Sequence, residues 1–268
     1  MSAVLFEIRE HVALITINRP EARNAINPEV VVRLARAWDQ VREDDSIRAA
    51  VVTGAGDKAF SAGADLGRLI PLISGARQPE DEWDQSVVTD RSLFEKCLLR
   101  NYDVVKPVIA AINGFAIAGG MELAQGTDLR VAAREARLGV QEVKWAIFPA
   151  GGSTVRLPRQ IPYARAMELL LTGDLIDADE AYRLGFLNRV VERDQVLDAA
   201  FELAGKIARN GPIAVQAIRH SAKQCQGVPE EEALRMESRF AAPVFQTEDA
   251  REGPRAFMEK RQPVYKGR

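Results

Sequence analysis

The segment that most constrains how this chain folds is a glycine-rich turn between a buried strand and a helix. The apolar run from Val108 to Ile112 predicts a buried strand, and Gly119 and Gly120 follow it closely. The residues from Met121 to Ala124 then predict the start of a helix. Glycines before a helix allow close backbone approach to a ligand, and the free N–H groups at its N-terminus can receive a negative oxygen. The segment therefore predicts a ligand-binding turn, with a simple turn between buried elements as the alternative.

Two carboxylates accompany this turn. Glu122 lies in the apolar first turn of the predicted helix, and Glu142 precedes the apolar run from Trp145 to Phe148. Two carboxylates in apolar surroundings are candidates for an acid/base pair, because burial and mutual repulsion move their pKa values apart. A Glu near a helix start is also a favourable partner for the helix dipole. Spacing alone does not show that the two side chains meet.

The rest of the pattern alternates strands with helices. Val4 to Ile8 and Val12 to Ile17 predict paired strands, and Asn27-Pro28 predicts a capped helix start. Such alternation indicates an α/β domain. The stretch from Leu66 to Asn101 is less regular: Gly75, Pro79 and the acidic residues 80 to 82 predict a loop, and Arg91 to Leu99 predicts a helix. Beyond residue 200 the chain is predicted to be helical throughout.

Composition narrows the functional class. The net charge of −2 gives no electrostatic footprint for nucleic acid, and no apolar run is long enough to cross a membrane. The N-terminus does not resemble a signal peptide, and the two cysteines lack metal-like spacing, so a cytoplasmic protein is expected.

Two motifs together resemble the enoyl-CoA hydratase/isomerase family, the crotonases. The first is KAFSAGADL, Lys58 to Leu66. The second spans Asn113 to Gly152 and carries Asn-Gly, a glycine-rich turn, Glu-Leu-Ala, Asp-x-Arg and a second Glu before Pro149. The resemblance covers nearly all 268 residues, including LTGDLIDADEAYRLGFLNRVV and the late AFMEKR. It implies an α/β fold, a crotonase-like spiral of β-β-α units with a C-terminal helical subdomain.

The resemblance implies an enoyl-CoA hydratase, a hydro-lyase of fatty-acid and lipid metabolism that adds water reversibly across the 2,3 double bond of an acyl-CoA thioester. Glu122 and Glu142 would hold the water, one as base and the other supplying the proton at C2. The N–H groups of Ala64 and Gly119 would stabilise the thioester enolate, each lowering the barrier by roughly 3 kcal/mol. No metal or redox cofactor is expected, because the thioester delocalises the charge and coenzyme A is part of the substrate.

Other positions are implied to bind the substrate. Small residues at 62 to 64 would let the thioester approach, and the segment around Arg23 would lie along the CoA nucleotide. Judged from the residues alone, that segment is a solvated loop, and Lys260-Arg261 at a helix end is also ordinary compensation of the helix dipole, more so for Arg261 than for Lys260. The implied substrate-binding set is Ala22, Arg23, Ala62, Asp65, Leu66, Phe257 and Lys260.

The resemblance also implies an assembly, a homotrimer or a homohexamer made of two trimers. Residues 1–199 would form the spiral core and residues 200–268 a helical oligomerisation subdomain. Phe257 and Lys260 would reach the adenine end of CoA bound to an adjacent subunit. The helical region is too small to bury Phe240, Val244, Phe245 and Phe257 within itself, and such apolar patches usually mark an interface.

Three alternatives remain open at the level of sequence. One is an enoyl-CoA isomerase, which needs only the carboxylate at position 142, and another is a carnitinyl-CoA dehydratase of the same family. The third is a non-catalytic acyl-CoA-binding protein. The presence of both Glu residues favours the hydratase. Departures from the family pattern at Ala118, Gln141 and Pro149 to Ser153 lie beside the predicted water site and leave the acyl group open.

Overall fold

The structure, a computed structural model, describes residues 2–268 and is built on two β-sheets. The strands are β1 Val4–Arg9, β2 Val12–Ile17, β3 Ala49–Gly54, β4 Ala59–Ser61, β5 Val108–Ile112, β6 Phe115–Ile117, β7 Leu129–Ala133, β8 Arg137–Gly139, β9 Ile176–Asp177 and β10 Arg189–Val191. The helices are α1 Pro28–Glu43, α2 Leu69–Ile73, α3 Glu82–Thr89, α4 Ser92–Cys97, α5 Gly119–Gly126, α6 Ser153–Gln160, α7 Tyr163–Thr172, α8 Ala178–Arg183, α9 Val196–Ala208, α10 Pro212–Gln224, α11 Glu230–Val244 and α12 Glu248–Met258. Short 3₁₀ helices span Pro20–Ala22, Glu142–Trp145 and Arg193–Gln195.

The two sheets arise from successive turns of a spiral. The larger sheet has the order β1-β2-β3-β5-β7-β10, and the smaller has the order β4-β6-β8-β9. Each of the three pairs β3/β4, β5/β6 and β7/β8 gives its first strand to the larger sheet and its second to the smaller. The pairing is parallel except for β1 with β2 and β8 with β9. The predicted α/β architecture and the predicted β1–β2 pairing are confirmed.

Local sequence signals account for several element boundaries. The side chain of Asn27 accepts the N–H of Val30 at 2.9 Å and caps α1, with Pro28 at the first helical position. Gly173 ends α7 in the left-handed conformation, at φ 68°. The capped start of α1 was predicted from the residues themselves and is confirmed.

The expectation of irregular structure after Leu66 is wrong in part. Helices α2 and α3 lie in this stretch, and Asp81 caps α3 by accepting the N–H of Asp84 at 2.8 Å. The apolar positions Leu69 and Val87 are buried in the core, so tertiary packing rather than a long periodic pattern stabilises these short helices.

The C-terminal third is helical, as predicted. Helix α9 crosses residue 199 and buries Ala200 and Ala204 in the core, whereas α10 and α11 contain no fully buried residue. The division of the chain at residue 199 stays a prediction. Within the described residues, every helix is too short or too polar to span a lipid bilayer.

Candidate active site

Glu122 is held inside the protein by the turn that leads into α5. Every residue of this helix is buried, and Glu122 is only 3% exposed. One carboxylate oxygen, Oε1, accepts the backbone N–H of Ser153 at 3.2 Å. Burial raises the pKa of Glu122, and backbone groups of Ser153 and Gly151 counter that rise. Residues 151–153 therefore supply the donors that favour the charged form of this carboxylate.

The turn that carries these donors approaches Glu122 so closely that it requires glycine. A Cβ atom on Gly151 would lie 2.3 Å from Oε2 of Glu122 and 2.6 Å from a methyl carbon of Leu98. The guanidinium group of Arg156 binds the other side of this region, donating to the main-chain oxygens of Leu98 at 3.2 Å and Glu122 at 3.4 Å. The segment from 151 to 156 thus packs directly on the carboxylate-bearing helix.

Glu142 begins the 3₁₀ helix that follows β8, and its environment differs from that of Glu122. Its Oε2 atom is buried and has no hydrogen-bond partner among the described residues. Burial, together with the charge of Glu122, raises the pKa of Glu142 to about 7. The fold therefore brings together two carboxylates that are twenty positions apart in sequence, which spacing alone did not show. Backbone N–H groups of Gln141 and of Glu142 itself favour the charged form of Glu142, but they do not offset its burial and the Glu122 charge. Glu142 therefore holds a proton below about pH 7.

A second part of the site consists of two backbone N–H groups. Ile26 donates its N–H to the Gly63 carbonyl at 2.8 Å, and its carbonyl accepts the N–H of Asp65 at 2.9 Å. This isolated parallel bridge is centred on Ala64. A residue flanked by two such bonds directs its own N–H to the opposite side. The N–H of Ala64 thus faces away from Ile26, towards the start of α5.

Gly119 lies at that position. A Cβ on Gly119 would be 3.5 Å from the Ala64 nitrogen, so the two backbones are neighbours. Among the hydrogen bonds of the described residues, neither N–H has an acceptor. Gly63 makes this approach possible, because a Cβ there would lie 2.8 Å from the Gly119 nitrogen and its φ is +85°. Two free donors beside two carboxylates can stabilise a developing oxyanion while protons move.

The other residues predicted to bind the substrate lie in two parts of the structure, and the first is the turn around Ala64. Ala62 is half-buried in the Ala64 turn, and its N–H donates to the Arg23 carbonyl at 3.0 Å, which brings Ala22 and Arg23 beside that turn. Leu66 follows the turn and is 59% exposed.

Two predicted residues lie at the other end of the chain. Phe257, near the end of α12, is 82% exposed, and Lys260 is exposed just beyond it. Within residues 2–268, no hydrogen bond or ion pair joins either of these side chains to Glu122 or Glu142. Their contact with CoA stays a prediction.

The Asp65 carboxylate accepts hydrogen bonds from other residues of the protein. Its Oδ1 accepts the N–H groups of Gly67 and Arg68, each at 3.0 Å, and its Oδ2 accepts from Arg19 at 2.9 Å. The same Arg19 nitrogen donates to the Ala25 carbonyl at 2.7 Å. Asp65 therefore joins the Ala64 turn to the segment around Arg23, and direct substrate binding by its side chain stays a prediction.

Sequence reasoning placed Ser153 beside the predicted water site without giving it a role, and it missed Gln125. Gln125 lies three positions after Glu122 on α5, and its Nε2 donates to Oγ of Ser153 at 3.0 Å. The three-residue spacing on one helix could have pointed to Gln125. No local signal identifies Ser153, which reaches Glu122 only through the fold. In the part of the chain that the structure describes, no group of three or more His, Cys, Asp or Glu side chains could hold a metal ion.

Comparison with known proteins covers the whole chain. Residues 7–268 match the family model described as enoyl-CoA hydratase/isomerase. The chain is 44% identical over 264 residues to an enoyl-CoA hydratase of Mycobacterium tuberculosis, covering 98% of this chain and 96% of the relative. It is 39% identical to the (E)-benzylidenesuccinyl-CoA hydratase of Thauera aromatica, covering 98% of this chain and 99% of the relative.

Solved structures show the same likeness. The crystal structure of an enoyl-CoA hydratase from Mycobacterium tuberculosis H37Rv matches with a TM-score of 0.88 at 40% identity, covering 100% of both chains. The predicted crotonase-like spiral is confirmed by this match.

Proposed function

The chain belongs to the enoyl-CoA hydratase/isomerase family, and on that premise we propose that Glu122 and Glu142 carry the reaction of this protein. The protein is an enoyl-CoA hydratase, a lyase that adds water reversibly across the 2,3 double bond of an acyl-CoA thioester. The observation that supports the roles of the two residues is their burial together, with unequal hydrogen bonding, beside the free N–H groups of Ala64 and Gly119.

The protonation states of the two carboxylates give each of them a role in the hydration. Glu122, ionised and supported by N–H donors, takes a proton from water as the water oxygen bonds to C3. The electrons of the double bond move towards the thioester, and the oxyanion forms against the N–H groups of Ala64 and Gly119. Glu142, which starts the reaction protonated, delivers its proton to C2. The sum is the addition of one water molecule, and the two carboxylates have exchanged protonation states.

The other predicted residues form the proposed substrate-binding surface. Ala22 and Arg23 would lie along the CoA nucleotide, with Phe257 and Lys260 completing the site of an adjacent subunit in a trimer or hexamer. The chemistry calls for no metal or redox cofactor, because the thioester accepts the developing charge. The cytoplasm is the proposed location.

The test replaces each carboxylate by its amide. In Glu122→Gln and Glu142→Gln we expect kcat for crotonyl-CoA hydration to fall on the order of 10²-fold or more, because each variant lacks one general acid/base group. Loss of enoyl thioester absorbance measures the rate, and circular dichroism checks the fold. Glu43→Gln, an exposed carboxylate at the end of α1, is the matched control.

Normal turnover in both variants would rule out the pair. An isomerase would give a different result, because it should keep its activity in Glu122→Gln and lose it in Glu142→Gln.

A further inference from the structure

A chain of three buried polar side chains lies behind the reacting carboxylates. Gln125, Ser153 and Glu122 are 2%, 0% and 3% exposed. Gln125 Nε2 donates to Ser153 Oγ at 3.0 Å, and Ser153 donates its N–H to Glu122 Oε1 at 3.2 Å. This is the only hydrogen bond that joins Ser153 to the Glu122 carboxylate, and the Ser153 hydroxyl lies close enough to lower the pKa of Glu122 as well. Buried polar groups need partners, and these bonds hold Ser153 and Glu122 in place, whereas Gln125 Oε1 is buried without a partner among the described residues.

The direction of the hydrogen bond between Gln125 and Ser153 decides whether the Ser153 hydroxyl can donate to Glu122. Because the Ser153 oxygen accepts from Gln125, its own O–H is free to donate, and the carboxylate that it faces is Glu122. A hydroxyl that accepts one hydrogen bond becomes a stronger donor in the next. A donor to a buried carboxylate favours the ionised form and fixes the carboxylate plane.

The other charged groups near Glu122 do not replace this contact. Arg156, on α6 with Ser153, directs its guanidinium group to main-chain oxygens of Leu98, Leu99 and Glu122. The charges of Arg156 and Glu122 act on each other, and that of Arg156 also lowers the pKa of Glu122, but no hydrogen bond joins the guanidinium group to the carboxylate. Glu142 faces Glu122 from the 3₁₀ helix and repels its charge. The side-chain hydroxyl directed at the Glu122 carboxylate is therefore that of Ser153.

We propose that Ser153, oriented by Gln125, is a positioning residue that keeps Glu122 ionised and aimed at the reacting water while Glu142 carries the proton. The inference rests on the proposed hydratase function. It also explains why Glu122 rather than Glu142 starts the hydration as the base: Ser153 donates to Glu122, and Oε2 of Glu142 has no donor.

The experiment measures the pH dependence of kcat/KM for crotonyl-CoA hydration. Ser153→Ala removes the hydroxyl and keeps the backbone N–H. Losing a hydrogen bond to a charged group should move the acidic limb upward by about one pH unit, because a unit of pKa corresponds to the worth of one such bond. The rate below the limb should then fall roughly tenfold and recover at higher pH. Thr154→Ala, an exposed hydroxyl one residue later, is the matched control and should leave the profile unchanged.

A second variant tests whether Gln125 donates a hydrogen bond to Ser153 or accepts one from it. Gln125→Met keeps the side-chain volume and removes the donor, so the acidic limb should again move upward, by less than in Ser153→Ala. If Gln125 instead accepted from Ser153, its removal would free the hydroxyl for Glu122 and move the limb downward. A downward shift, or none, would overturn the proposed orientation.

The outcomes separate this inference from the proposed function. No hydration of crotonyl-CoA or other enoyl-CoA thioesters by the unmodified protein would refute the function itself. Hydration by the unmodified protein, with an unmoved limb in a folded Ser153→Ala, would refute only the role of Ser153. A rate that fell equally at every pH would assign Ser153 a purely structural role and would also refute the proposal.

Discussion

At the scale of single residues, the raised pKa of Glu142 makes the stability of the protein depend on pH. An unfolded Glu has a pKa near 4.5, whereas burial and the Glu122 charge raise that of Glu142 to about 7 in the fold. The native state therefore binds the proton more tightly than the unfolded state. Glu142 consequently lowers stability progressively as the pH rises from about 4.5 to 7, and the loss is complete above pH 7.

We therefore expect Glu142→Gln to be more stable than the unmodified protein at pH 8 and equally stable at pH 4. The gain should be about 1 kcal/mol, discounted because the residue is partly exposed to solvent. Chemical unfolding at both pH values measures it. A difference that is the same at pH 4 and pH 8 would contradict the shifted pKa as its cause.

At the scale of elements, the packing of α5 against β4 distinguishes two adjacent glycines. A Cβ on Gly120 would lie 2.3 Å from the backbone oxygen of Ser61, whereas the nearest atom to a Cβ on Gly119 is 3.5 Å away. Backbone atoms in a sheet cannot move aside cheaply. The start of α5 thus tolerates a side chain at one glycine and not at the next.

We expect Gly120→Ala to lower the unfolding free energy by about 1–3 kcal/mol through overpacking. Gly119→Ala, the matched control, should unfold within about 0.5 kcal/mol of the unmodified protein. Thermal or chemical unfolding compares the two variants. Equal destabilisation would show that α5 is not pressed against β4 as described.

At the scale of the whole molecule, large apolar side chains of the C-terminal helices are left at the surface. Ile218 is 69% exposed, Phe245 77% and Phe257 82%. Helices α10 and α11 enclose an apolar groove of about 570 Å³ that includes neither carboxylate. Exposed apolar side chains grouped in this way are typical of interfaces, which supports the proposed trimer or hexamer.

We expect light scattering to give a trimer or hexamer, and deletion of residues 246–268 to reduce both assembly and CoA affinity. Lys260→Ala should weaken CoA binding about fivefold, near 1 kcal/mol for an exposed charge contact, with little change in kcat. Lys266→Ala, another exposed lysine of the same terminus, is the control. A fully active monomer, or unchanged CoA affinity in the folded truncated chain, would contradict the proposed assembly.

The sequence by itself determined the elements whose causes are local. The alternation in β1 and β2, the Asn27 cap with Pro28 in α1, and Gly173 after α7 each act within a few residues. The glycine-rich motifs could also be recognised from sequence, because close backbone approach restricts the residue type. Helix α3 was missed because it is short and depends on burial of Val87 in the core.

Only the tertiary structure decided how the site is assembled and how its proton is placed. Glu122 and Glu142 belong to different turns of the spiral, and the charge of one acts on the other only after both are buried. The donors that distinguish them come from residues 151–153, about thirty positions after Glu122 in the chain. A pKa depends on burial, charge and donors within a few ångströms, and residues distant in sequence supply all three. The sequence therefore contains the reacting groups, whereas the fold assigns the base and the acid.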